Sequence, residues 1–107
     1  MFITKGGKKL IYSLSEIREK VKQVADRYDI KEIRLFGSYF DGIPDENSDV
    51  DLIVSYGVGC AGLERIQFMD DLEINLKKNV DVINIKFLPD FMAEMDLTAK
   101  GRLIYER

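Results

Sequence analysis

The chain has 107 residues, 46% of them hydrophobic and 33% charged, a formal net charge of −3 and no histidine. A single domain spanning residues 1–107 is expected, because a chain this short builds one modest core. The acidic balance argues against a broad phosphate-binding surface and hence against direct nucleic-acid binding. The lack of histidine removes a Ser-His-Asp triad, a histidine general base and a zinc-histidine centre. Cys60 is the single cysteine and cannot pair internally, no apolar run nears the roughly 20 residues of a membrane span, and the N-terminus lacks a signal-peptide core. These features lead to the expectation of a soluble cytoplasmic protein with no membrane partner.

Residues 1–12 contain Gly6-Gly7, which suits either a short hairpin or a loose arm. Ser13 and Glu16 have the spacing of a capping box. Ile17, Val21, Val24 and Tyr28 then recur at helical spacing and predict an amphipathic helix over 14–28. "EIRLFG" predicts a strand over 32–37 that runs into a glycine. Residues 38–48 are rich in turn formers, with a helical turn after Ser38 as the alternative. "DVDLIVSY" predicts a second strand over 49–56, and "GVGCAG" a glycine-broken loop. A second amphipathic helix is expected over 63–77, with Leu63, Ile66, Met69, Leu72 and Leu76 on its core face. Lys77-Lys78 near its end complement the helix dipole. "VDVINI" predicts a third strand over 80–85, "DFMAEMDLTAK" a helix up to Gly101, and "RLIYER" either a last strand or more helix. This order implies an α/β (α+β) domain: a small mixed β-sheet flanked by helices.

Asp49 and Asp51 stand two apart on the second strand and so project together, while Val50, Leu52 and Val54 face the other way. Two like charges on a rigid strand repel, and burial worsens the repulsion. A hard cation such as magnesium, which binds through one or two carboxylates and substrate phosphates, is the natural compensation. Asp81 repeats the pattern between Val80 and Val82, and it joins the first pair if its strand lies beside theirs. Three carboxylates around two metal ions form a site for in-line phosphoryl or nucleotidyl transfer. Gly37-Ser38 completes it: the glycine permits close backbone approach, and free N–H groups at a following helical turn face an anion such as a triphosphate. Singly, Asp-x-Asp is most often solvent-facing alternation and Gly-Ser most often a turn. Their joint occurrence, in order and on separate strands, favours the site.

The arrangement Gly37-Ser38, the spacer "YFDGIPDENS", Asp49-Val50-Asp51 and Asp81 in "VDVI" resembles the nucleotidyltransferase superfamily of DNA polymerase β type, and within it the minimal (MNT) members. Many of those continue as Ser-Tyr-Ala-Arg-Gly, whereas this chain reads Ser38-Tyr39-Phe40-Asp41-Gly42, an acid in place of a base near the phosphates. The resemblance implies a polymerase β-like fold, with Asp49, Asp51 and Asp81 as catalytic ligands of two Mg²⁺ ions. It implies Gly37 and Ser38 as holders of the β- and γ-phosphates of ATP. It further implies an antitoxin that transfers AMP to a tyrosine of a partner HEPN ribonuclease toxin. The alternatives are an aminoglycoside-type small-molecule nucleotidyltransferase working with a helical partner, and an antitoxin that acts by binding alone.

Several residues have two readings. Asp70, Asp71 and Glu73 form a solvated helix face or a docking patch. Phe87, Phe91, Met92 and Met95 belong to the core or to an adaptable partner surface. Cys60 is structural or merely exposed, and Tyr39 stacks on a base or packs.

Overall fold

The computed structural model describes residues 11–37, 39, 44–88 and 101–107. In chain order these form α1 (Leu14–Ala25), β1 (Ile30–Phe36), β2 (Val50–Tyr56), α2 (Leu63–Leu76), β3 (Val80–Asn84), a 3₁₀ turn (Ile85–Phe87) and β4 (Arg102–Glu106). The expected hairpin or arm around Gly6-Gly7, the helical turn after Ser38 and the helix after Pro89 lie outside the described residues. No helix among the described residues is long and apolar enough to cross a membrane.

The capping box of α1 forms as its spacing dictates: Ser13 Oγ accepts from the Glu16 N–H at 3.1 Å, and Glu16 Oε1 accepts from the Ser13 N–H at 2.8 Å. The helix stops at Ala25 rather than Tyr28, because the N–H groups of Arg27 and Tyr28 donate to carbonyls only three residues back, at Val24 and Ala25. Tyr28 then serves another purpose. Its hydroxyl donates to Asp71 on α2 at 2.5 Å, a bond that pushes the phenol pKa up to about 12. Asp71 is therefore a tie from α2 to the segment that follows α1, unlike the exposed Asp70 beside it.

The strands form one sheet in the order β3-β2-β1-β4. β1 pairs antiparallel with both β2 and β4, and β2 pairs parallel with β3. "RLIYER" is thus a strand, the fourth of a mixed sheet. A parallel neighbour needs a crossover, and α2 provides it between β2 and β3. Both helices pack on one face of the sheet. Ile17, Val21 and Val24 of α1, with Phe68, Leu72 and Leu76 of α2, share a core with Ile33, Leu35, Val50, Leu52 and Val54. Alternation along the strands therefore sends Phe36, Asp51 and Asp81 to the other face.

The core face of α2 differs from the one expected. Leu72 and Leu76 are buried, but Leu63 is 74% exposed and Ile66 55%, and the buried partner on their turn is Phe68. Phe68 lies edge-on to Tyr28, with ring centroids 5.4 Å apart, and to Tyr56 at 6.1 Å. Two apolar periodicities overlap on this helix, and the larger aromatic side chain takes the interior. Cys60, in the loop before α2, is buried, and burial pushes its thiol pKa up. Phe87 is exposed; its companions Phe91, Met92 and Met95 lie outside the described residues.

The two faces of α2 should separate in mutagenesis. Phe68→Ala should lower the unfolding free energy by about 3–5 kcal/mol, and Leu63→Ala by under about 0.5 kcal/mol, in urea denaturation. Equal losses would place the helix in the wrong rotation.

Candidate active site

β1 delivers the chain to Gly37, whose φ is +74°, a region that residues bearing a Cβ seldom enter. The register of the hairpin sets Phe36 opposite Asp51, so the turn after β1 lies over the Asp51 side chain. A Cβ built on Gly37 would come within 2.1 Å of Asp51 Oδ2. Glycine is thus needed here both for its backbone angle and for its missing side chain. What the Gly37 backbone approaches, among the described residues, is the carboxylate itself.

On the other flank, the parallel register pairs Asp51 with Asp81. Their carboxyls are close enough to interact by a hydrogen bond whenever Asp51 is protonated. Asp51 is half-buried. Burial first, then the bond to Asp81 and the charges of Asp81 and Asp49, push its pKa up to about 6. Asp49 stands one residue before β2 begins and is exposed; it reaches Asp51 through its charge. Asp51 and Asp81 are brought together, and Asp49 is their neighbour. Among the described residues no three acidic side chains close on one point as a ready-made metal cluster. Ser38 and Asp41 lie outside the described residues.

These donors fit a hard divalent cation. Two carboxyls stand side by side on adjacent strands, and the charge of Asp81 raises the Asp51 pKa, a repulsion that a cation between them would relieve. Two carboxylates supplemented by phosphate oxygens is also a common magnesium environment.

Sequence reasoning overlooked how the approach to Asp49 is built. Asp45 Oδ1 accepts from the Asn47 N–H at 2.8 Å, its carbonyl accepts from the Ser48 N–H at 3.1 Å, and the Asp45 N–H donates to Ser48 Oγ at 2.8 Å. The order Asp-x-Asn-Ser is a legible signal for such a turn. A cleft of about 490 Å³ borders it, lined by Ser48, Asp49, Glu73, Lys77, Lys78 and Asn79. Tyr39 packs: it is buried, and its hydroxyl accepts from the Tyr12 N–H at 3.4 Å.

Comparison with known proteins identifies the family and the fold. The family model described as "Polymerase beta, Nucleotidyltransferase" matches residues 19–107. A Methanocaldococcus jannaschii protein, provisionally named a protein adenylyltransferase, is 32% identical over 71 residues, which is 66% of this chain and 76% of that one. Among solved structures, a chain of a toxin-antitoxin crystal structure with AMP-PNP superposes with a TM-score of 0.69 at 21% identity, over 84% of this chain and 73% of that one. A chain from the complex of a tri-AMPylated Shewanella oneidensis HEPN toxin with an MNT antitoxin gives 0.64 at 20% identity, over 88% and 73%. At these identities the structural likeness is one of fold.

Because the Asp51 pKa is raised in the folded state, its contribution to stability is present below the unfolded value near 3.9 and is lost as pH climbs through about 6. In metal-free protein at about pH 8, Asp51→Asn should therefore raise the unfolding free energy by about 1 kcal/mol, a figure reduced for the solvent around a half-exposed group. The gain should vanish by about pH 4. Urea denaturation at the two pH values checks this, and no gain at the higher one would refute it. Gly37→Ala should destabilise the chain by about 2 kcal/mol, and by less in an Asp51→Ala background, where the collision is removed and the backbone strain persists. Equal costs in both backgrounds would show that the contact is irrelevant.

Proposed function

The chain belongs to the polymerase β nucleotidyltransferase family, and from that premise we propose that it is a Mg²⁺-dependent protein adenylyltransferase. In this reading it moves AMP from ATP to a tyrosine hydroxyl of a partner HEPN ribonuclease toxin and so acts as the antitoxin. As an enzyme, the chain is a nucleotidyltransferase. The observation that carries the finer reading is the Asp51–Asp81 pair set against the Gly37 turn. The names of the similar proteins, a protein adenylyltransferase and complexes of antitoxins with toxins, support the acceptor class.

Asp49, Asp51 and Asp81 would hold the magnesium, which when bound supplies charge stabilisation for the attacking and leaving oxygens. Gly37 presents backbone with no side chain in the way, and with Ser38 it receives the β- and γ-phosphates. Asp81, exposed and set beside Asp51 by the parallel register, is suited to take the proton of the acceptor hydroxyl. As it does so, the hydroxyl oxygen bonds to the α-phosphorus. The bond from that phosphorus to the bridging oxygen breaks, and pyrophosphate leaves with the electron pair. The strands hold both acids on a rigid frame, so positioning and electrostatics supply the acceleration.

Incubating the purified chain with α-labelled ATP, Mg²⁺ and a co-purified HEPN toxin should place label on a toxin tyrosine, read by mass spectrometry. The Asp49→Asn/Asp51→Asn double variant should lower the labelling rate on the order of 100-fold or more. Toxin neutralised equally well by that double variant would favour binding alone, and label found only on a small molecule would reject the protein acceptor.

A further inference from the structure

Asp49 is the acid that the sheet does least to hold. It is exposed and precedes the first residue of β2, so neither burial nor the strand ladder sets its place. Its neighbours in the chain are anchored instead, on both sides and from one direction. The Val50 N–H donates to the Asn79 carbonyl at 3.1 Å. On the preceding side, the Lys78 ammonium donates to the carbonyls of Ser48 at 3.2 Å and Glu46 at 3.1 Å. Consecutive residues of the α2–β3 turn thus grip the peptides that flank Asp49.

The side chain of Lys78 suits this task. Two carbonyls from one turn converge on a point, and an ammonium carries several donors on a small head that can serve both. It also brings positive charge to a cleft lined by Glu46, Asp49 and Glu73. Its sequence position, just beyond a helix end, suggests service to the helix dipole. That end is closed, however, by the Lys77 N–H donating to the Glu73 carbonyl at 2.8 Å, with Lys77 at φ +56°. The left-handed residue turns the chain sharply, and the ammonium of Lys78 is directed at a different segment. The same turn leads directly into Asp81, whose strand begins at Val80. One short turn therefore bears both on Asp49 and on the partner of Asp51.

We propose that Lys78 is a positioning residue of the nucleotidyl-transfer site: it straps the Asp45–Ser48 turn to the α2–β3 turn and so sets where Asp49 stands relative to Asp51 and Asp81. The proposal rests on reading those aspartates as the metal-binding set. Its consequence is that cation binding depends on a lysine that touches neither metal nor substrate.

The test uses Mn²⁺ alone as the probe, without ATP or partner. Lys78→Met keeps the length of the side chain and removes its donors. It should speed amide hydrogen exchange at residues 47–49 and weaken Mn²⁺ binding, each roughly tenfold, as loss of a supporting contact to a metal ligand does. Lys78→Arg, which restores charge and donors, should recover part of both. Lys77→Met removes a charge from the neighbouring residue and should change neither. Wild-type exchange and Mn²⁺ affinity in Lys78→Met would overturn the proposal, as would an equal loss in Lys77→Met. Should Lys78→Met melt before it can be measured, Lys78→Gln, which removes the charge and shortens the reach, carries the same two readouts, and wild-type values for both in that variant would likewise count against the strap. A wild-type chain that binds no Mn²⁺ would refute the metal reading, while the exchange rates would still report on the strap.

Discussion

The contact between Asp51 and Asp81 sets the terms for much of this molecule. Two carboxyls meet across a parallel ladder, and burial together with the neighbouring Asp81 pushes the Asp51 pKa up to about 6. That contact needs β2 and β3 side by side, parallel and in a register that matches the two acids. A parallel pair cannot be joined by a tight turn. The crossover helix α2 is thus part of the site's construction, and its burial of Phe68, Leu72 and Leu76 supports the carboxylates from the opposite face of the sheet.

The sheet divides its labour by face. On one side, Val50, Leu52 and Val54 pack under both helices; on the other, Asp51 is held against the Gly37 turn. An apolar interior and a pair of mutually repelling acids thus occupy the same strand at alternate positions. The core contributes the stability and the acids withdraw some of it, a common pattern where function opposes folding. Gly37 belongs to the same compromise, since any side chain there would displace the carboxylate that the turn covers.

Asp49 is held by different means. It lies outside the ladder and in solvent, where main-chain bonds to its neighbours take the place of packing. Under the proposed function, an acid attached this way can adjust when a cation and a nucleotide bind, while Asp51 and Asp81 stay on their strands. A rigid pair with a tethered third acid suits in-line transfer, in which the charge on the entering and leaving oxygens changes during reaction.

Much of the fold was legible in local patterns. The capping box at Ser13–Glu16, the period-two runs around Leu35, Leu52 and Val82, and the glycine after β1 each depend on residues a few positions apart, and each appeared close to where it was expected. The pairing of Asp51 with Asp81 on one face was also readable, because alternation along a strand determines which side chains share a face; Asp49, expected on the same strand, precedes it. The rotation of α2 was not readable: two apolar stripes compete on it, and only packing against Tyr28 and Tyr56 selects Phe68. Nor were the pairing of Tyr28 with Asp71, the fit of Asp51 beneath Gly37, or the reach of Lys78 to Ser48. Each joins residues distant in the chain, and their separation in space is decided by strand order and register, which no local pattern encodes.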